Sequence, residues 1–377
     1  MVQLVFKSST SYGLFYGLLY KNAVFMGNLN NKKILIVRLS AIGDTIHGLP
    51  VLNAIKRENP DVHISWLVEK ESSFLLKANP CVDKLFIFNK SGLKKNGVSL
   101  ASINLIKELI LSLKQEQFDI AIDMQGLFKS GLLTALSGAK RKVGFKGTRE
   151  FAEFFLDERV DVGKIFDENE HVIEKNMKLA GYLGIKDLSV GYCLPVISED
   201  IKTKINEILC FADSKKNTVV IIPSTTWETK FWPEQHWRDL LTYLTPKFNV
   251  IITGIEKDLP YIASITGHLS ENSFVNLAGK TTLLDLIELF TRIDMVIGVD
   301  TGPLHLAVAT EKPRVVSILG PTSARRNGAL GHTNLYADLP CLPCHKKKCS
   351  LDSKDNLLCM KNLKPATVIE VIETLMD

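Results

Sequence analysis

The chain holds no stretch of ~20 mostly apolar residues, the length a membrane-spanning helix needs. The nearest approach, residues 12–26, is shorter and is interrupted by Lys21 and Asn22. No convincing small-residue cleavage site follows it, which speaks against a secretory leader. Strong charge of one sign is also missing. Lys and Arg number 46 against 41 Asp and Glu, a net +5 and far from the field of a dedicated nucleic-acid binder. Seven cysteines in 377 residues are too few and too uneven for a disulfide scaffold. Two phosphate-binding signatures are absent as well. No GxGxxG follows the first strand pattern, and Gly126-Leu127-Phe128-Lys129-Ser130 carries a Lys-Ser without the spaced glycines of GxxxxGK[ST].

A length of 377 residues exceeds one ordinary core, and about 150 residues per domain predicts two. Apolar residues at 46% and charged residues at 23% are those of a soluble globular chain, placed in the cytoplasm by its cysteine usage. From residue 32 short β-branched runs alternate with amphipathic helical runs. Strand patterns cover residues 34–39, 63–68 and 118–124. Helical ones cover 45–57, 100–117, 126–136 and 171–183. After a looser stretch (185–217) the rhythm restarts, with strands at 218–222, 249–253, 295–299 and 314–319. Helical patterns lie between them at 234–244, 259–269 and 282–290. Apolar strands alternating with helices imply parallel sheets. The expected fold is α/β: two doubly wound, Rossmann-like domains facing each other across a cleft. The expected divisions are an N-terminal extension (1–30), domains at 31–195 and 196–364, and a C-terminal helix (365–377) packing back on the first domain. The extension reads as an interfacial helix, a loose tail, or a segment ahead of a true start at Met26.

Ligands of such sheets bind beyond the carboxyl ends of the strands, so the loops there carry the chemistry. Ser40-Ala41-Ile42-Gly43-Asp44 follows the first strand. Its glycine lets backbone approach a ligand, and Asp44 is either a helix cap or a working carboxylate. Pro223-Ser224-Thr225-Thr226, with Lys230 soon after, offers hydroxyls and an ammonium to an anion, or is a solvated turn. Asp300-Thr301-Gly302-Pro303-Leu304-His305 is the strongest. Pro303 opens a helix whose free N–H groups and positive dipole end suit a diphosphate, and His305 adds a donor.

The run Asp300-Thr301-Gly302-Pro303-Leu304-His305-Leu306-Ala307 resembles the signature of the glycosyltransferase family 9 heptosyltransferases. So do Ile34 to Asp44, the segment Ser224 to Trp237, and Asp123-Met124-Gln125-Gly126-Leu127-Phe128-Lys129-Ser130. The resemblance covers about residues 32–376. Asp123–Ser130 and Gly147-Thr148-Arg149-Glu150 are most like the heptosyltransferase I branch, which adds the first heptose to Kdo-lipid A of lipopolysaccharide.

The resemblance implies the GT-B fold and an inverting transfer from ADP-heptose to Kdo-lipid A, at the cytoplasmic face of the inner membrane. Carried onto this sequence, Asp44 is the general base. Thr225, Thr226 and Lys230 bind the donor phosphates, with Thr301, Gly302 and His305 completing that site from the helix end, while Asp300 orients this turn or meets the sugar. Either Glu256 or Asp258 meets the adenosine ribose. Gly43, Gln125, Lys129 and Arg149 face the acceptor. Six basic residues and no acidic one lie from Lys129 to Arg149, which either attract an anionic acceptor or form a solvated face. No cofactor and no metal are expected: there is no DxD motif, and the helix end with Lys230 takes the cation's place. Alternatives are another family 9 transferase of the heptosyltransferase II type or with a different donor, a non-catalytic nucleotide-sugar-binding relative, and a nucleotide-sugar epimerase or phosphorylase. Cys341, Cys344, Cys349 and Cys359 sit together in a Lys-rich loop, where they are either incidental thiols or metal ligands.

Overall fold

The structure, a computed structural model, describes residues 2–5, 28–89, 99–352 and 355–376. The chain divides into two compact units, one ending at Val196 and the other beginning at Ile197. Strands are numbered along the chain, and β1 (Val2–Val5) belongs to the second unit.

The first unit is built on six parallel strands: β2 (Lys33–Val37), β3 (His63–Glu69), β4 (Lys84–Phe88), β5 (Ile120–Asp123), β6 (Arg141–Phe145) and β7 (Glu158–Val160). Their order is β4-β3-β2-β5-β6-β7. Counted from β2 this is 3-2-1-4-5-6, the doubly wound order that reverses direction between β2 and β5. Ile36 pairs with Trp66 on one side and Ile122 on the other, all fully buried, because both sheet faces are covered. Helix Leu49–Glu58 packs with Val172–Tyr182, and Phe128–Leu136 packs with the turn Arg149–Phe155. A disulfide joins Cys81 to Cys193 within this unit, a pairing that the cysteine count gave no reason to expect.

The second unit repeats the plan with β8 (Thr218–Ile222), β9 (Asn249–Ile252), β10 (Val275–Asn276), β11 (Met295–Val299), β12 (Arg314–Leu319) and β13 (Thr333–Ala337). The order β10-β9-β8-β11-β12-β13 again reverses beside its first strand, here between β8 and β11. β1 adds itself antiparallel to the outer edge of β13, with Val2 opposite Ala337. The extension therefore begins as an edge strand of the second unit; residues 6–27 lie outside the described residues. Among the described residues no helix is long and apolar enough to cross a membrane.

Two sequence expectations are corrected. The C-terminal helix Pro365–Met376 is part of the second unit's core. Its apolar stripe Val368, Val371 and Ile372 enters the second unit's core beside Trp237, Leu241 and Leu244, so it covers that unit's own sheet. The single helix expected over 45–57 is two, Ile42–Ile46 and Leu49–Glu58, parted at Gly48 with Pro50 in the first turn of the second.

Candidate functional site

In each unit two of the sequence-predicted loops leave the sheet at the strand pair where the order reverses, after β2 and β5 and after β8 and β11, the position at which such sheets hold ligands. In the first unit, the turn after β2 carries Asp44 in the short helix Ile42–Ile46. Asp44 is not the cap but the third residue of that turn. Its Oδ2 accepts the Ala41 N–H at 3.1 Å and its Oδ1 meets the Arg38 guanidinium at 3.0 Å. Arg38 is buried and also donates to the Met124 carbonyl. The carboxylate is therefore held from both oxygens, yet its side chain stays 47% exposed. That is what a base reaching an outside hydroxyl requires.

Gln125 ties the two strand ends together. Its Oε1 accepts the Leu39 N–H at 2.8 Å and its Nε2 donates to the Ser40 carbonyl at 3.1 Å. It fixes the Asp44 loop, which leaves its amide already engaged. Asp123 anchors the same region, accepting the Gln125 and Gly126 N–H groups and the Ser130 hydroxyl. Full burial pushes its pKa up against those bonds. Gly126 has φ +69, and a Cβ there would stand 2.9 Å from the Thr148 Cγ2, so this turn needs glycine. Gly43 lies inside the Asp44 turn, and its carbonyl accepts the His47 N–H at 2.9 Å.

The basic stretch is not the open cationic surface that counting along the chain implied. Lys129 pairs with Glu69 at 2.5 Å, Lys140 with Asp119 at 2.8 Å and Arg141 with Glu158 at 2.5 Å. Lys142 pairs with Asp157 and Lys146 with Asp161, both at 3.0 Å. The partners come from distant segments or from the next strand, which no local count includes. Arg149 differs: its guanidinium lies over the Phe166 ring, 3.6 Å from the centroid.

In the second unit, one carboxylate organises the site. Asp300, directly after β11, is buried. Its Oδ2 takes the Lys230 ammonium at 2.7 Å and the Thr322 hydroxyl at 2.6 Å, and its Oδ1 meets the His305 Nε2 at 3.2 Å. Burial opposes ionisation, but the His305 bond and the Lys230 charge outweigh it, and the pKa falls well below the usual carboxylate range. The loops after β8, β11 and β12 thus meet on Asp300. His305 braces this carboxylate with its Nε2 rather than offering that nitrogen to a ligand. Lys230 also stands 4.6 Å from the Trp227 ring centroid. Thr225 Oγ1 reaches the Asp300 carbonyl at 3.5 Å; Thr226 is exposed beside it, and the hydroxyl of buried Ser224 has no hydrogen-bond partner among the described residues. Helix Gly302–Ala309 starts after Thr301, whose side chain makes no capping bond. After β9, Asp258 accepts the Ile255 N–H at 2.9 Å and is engaged in its own turn, while Glu256 is exposed.

Arg38, Trp227 and Thr322 were missed from the sequence. For Arg38 a signal existed, since a lone arginine ending a buried apolar strand demands a carboxylate partner. For Thr322 none did. Among the described residues no group of three or more His, Cys, Asp or Glu is placed to hold a metal ion.

The profile of glycosyltransferase family 9 (heptosyltransferase) matches residues 106–354. Lipopolysaccharide heptosyltransferase 1 of Campylobacter coli is 26% identical over 359 residues, covering 91% of this chain and 98% of its own. A heptosyltransferase 3 of Escherichia coli and a heptosyltransferase 2 of Campylobacter jejuni are each 25% identical. Among solved structures, a family 9 glycosyl transferase of Veillonella parvula superposes with a TM-score of 0.77 at 18% identity, over 92% of this chain and 98% of that one. Escherichia coli heptosyltransferase WaaC with ADP gives 0.67 at 22%, over 91% and 99%. These structures share the α/β, two-domain GT-B fold expected from the sequence.

Proposed function

Because the chain belongs to glycosyltransferase family 9, we propose that this glycosyltransferase moves a heptose from ADP-heptose to the Kdo of Kdo-lipid A, with inversion. The observation that carries the reading is the pair of prepared strand-end sites. One presents a half-exposed carboxylate fixed by a buried arginine. The other presents a lysine fixed by a buried carboxylate, next to a helix N-terminus.

The acceptor hydroxyl attacks the anomeric carbon while the bond from that carbon to the diphosphate oxygen breaks. Asp44 takes the hydroxyl proton, a step worth ~10²–10⁴-fold in rate. The diphosphate leaves as negative charge grows on its oxygen. Lys230, Thr225, Thr226 and the helix end at Thr301 and Gly302 stabilise it from positions set in advance, with Asp300 and His305 holding Lys230 in place. Glu256, rather than Asp258, is the carboxylate open to the ribose hydroxyls. On the acceptor side, Arg149 is the residue of the basic stretch not paired with a carboxylate among the described residues, and the Gly43 turn and Gln125 shape the Asp44 loop. Lys129, held by Glu69, needs that pair opened before it meets an anion. Action on a lipid acceptor places the protein peripherally at the inner membrane, facing the cytoplasm.

The donor agrees with the solved relatives, one of which holds ADP-2-deoxy-2-fluoro heptose. Relatives named heptosyltransferase 2 and 3 match almost as well as those named 1, which keeps a second-heptose acceptor or another donor as the alternative. A screen of purified protein against nucleotide sugars with Kdo-lipid A and with heptosylated Kdo-lipid A tests the reading. Transfer from ADP-heptose to Kdo-lipid A is the expected result. Transfer to the heptosylated acceptor alone reassigns the branch, and no transfer with any pair contradicts the proposal.

A further inference from the structure

The Lys-rich loop between Cys341 and Cys359 has no role in the transfer just described, yet it is fastened to the donor-side loops at several points. The Cys344 and His345 N–H groups donate to the Pro321 carbonyl at 3.0 and 2.9 Å, immediately before Thr322. The Thr229 hydroxyl, one residue before Lys230, donates to the Lys346 carbonyl at 2.7 Å. All four cysteines of the loop line one small cavity with Thr229 and Pro321; Cys359 is buried, Cys344 and Cys349 are half-buried and Cys341 is exposed. Lys346, Lys347 and Lys348 are left on the outside, all exposed. Lys346 donates to the Ser350 hydroxyl at 2.9 Å. Lys347 instead sends its ammonium to 5.5 Å from the Trp227 ring centroid, the same ring that Lys230 approaches at 4.6 Å. Both cations therefore stand around one indole, which attracts cations through its face.

We propose that Lys347 is a further donor-binding residue, meeting the diphosphate that Lys230 serves, with Trp227 holding both cations at the site. The proposal rests on the donor reading given above. Charge balance leads to it. Lys230 is already matched by the Asp300 carboxylate, and a helix end offers only about half a charge. A nucleoside diphosphate carries more than one negative charge and gains more as it leaves. Among the described residues no carboxylate lies within ion-pair reach of Lys347, and of the loop's exposed lysines it is the one whose ammonium approaches the Trp227 ring. The cysteine-lined loop is then the scaffold that delivers it.

Calorimetry on the full chain with ADP and with adenosine, which lacks the diphosphate, tests this. Lys347→Ala is expected to weaken ADP by about fivefold or more, the scale of one well-placed exposed charge, and to leave adenosine unchanged. Lys347→Arg restores most of the loss. Lys348→Ala, removing the neighbouring exposed lysine, changes ADP less than twofold. Wild-type ADP affinity in Lys347→Ala, equal weakening of ADP and adenosine, or an equal effect from Lys348→Ala each overturns the assignment. A wild-type chain that binds no ADP overturns the donor reading and this proposal together, so the two failures are told apart.

Discussion

Replacing Asp300 by Asn keeps the shape of the side chain and removes the charge on which three loops converge. The carboxylate is buried and bonded to Lys230, Thr322 and His305, and the Lys230 side chain is only 13% exposed. Removing one partner of a buried pair leaves the other charge uncompensated, at a cost of about 3–5 kcal/mol. For a unit of this size each kcal/mol lowers the melting temperature by about 2–4 °C, so the second unit's transition falls by about 10 °C. Thermal and urea unfolding followed by circular dichroism read this directly. Lys230→Met added to Asp300→Asn recovers part of the loss, because no lone charge is then buried. The pH dependence has a fixed direction. The folded-state pKa of Asp300 lies below its unfolded value, so its contribution is present above the usual carboxylate range. It is lost as the pH falls toward the folded value. The gap between wild type and Asp300→Asn is therefore level from pH 6 to 8 and narrows only in strong acid. A loss under about 1 kcal/mol, the scale of an exposed ion pair, refutes the reasoning.

Further outcomes follow from other parts of the molecule. Burial pushes the Cys359 thiol up to about 11, whereas N–H groups of Leu357 and Leu351 hold Cys349 below the usual thiol value. At pH 8 iodoacetamide should therefore label Cys349 well before Cys359 by peptide mass analysis, and the reverse order refutes the assignment. Glu256→Gln should weaken ADP several-fold without loss of stability, while Asp258→Asn should lower stability through its turn. Calorimetry and melting together separate them, and unchanged ADP affinity in Glu256→Gln removes it from the site. Ile372→Ala should cost about 2–5 kcal/mol, since the side chain is fully buried in the second unit's core. A cost below about 1 kcal/mol means the C-terminal helix is not part of that core.

The long apolar strands were legible because their burial is continuous. β8, β11 and β12 stand where the sequence pattern put them, and β2, β3, β5 and β9 differ only at their ends. Six strands escaped notice: β6 opens on Arg141-Lys142, β10 has two residues and β7 three, β4 opens on Lys84, β13 opens on Thr333-Asn334, and β1 lies in the stretch read as an extension. The loops after β8 and β11 were legible as candidate sites from residue type, with hydroxyls and a lysine after one strand and Gly302-Pro303 opening a helix after the other. What binds them together was not. Thr322 reaches Asp300 from a neighbouring strand, and the lysines between Lys129 and Lys146 find carboxylates far off in sequence or one strand along. A single chain reading counts charges by position, whereas Coulomb energy depends on distance in the folded state. The C-terminal helix was misplaced for the same reason: its stripe shows that one face is buried, but not against which unit.

The central claim, that Asp44 removes the acceptor proton while the second unit holds the donor diphosphate, is tested most directly by Asp44→Asn. Heptose transfer from ADP-heptose to Kdo-lipid A is measured in a single turnover, with ADP affinity determined on the same preparation. The account predicts a rate lower by ~10²–10⁴-fold with ADP affinity unchanged. Transfer at the wild-type rate in Asp44→Asn contradicts it.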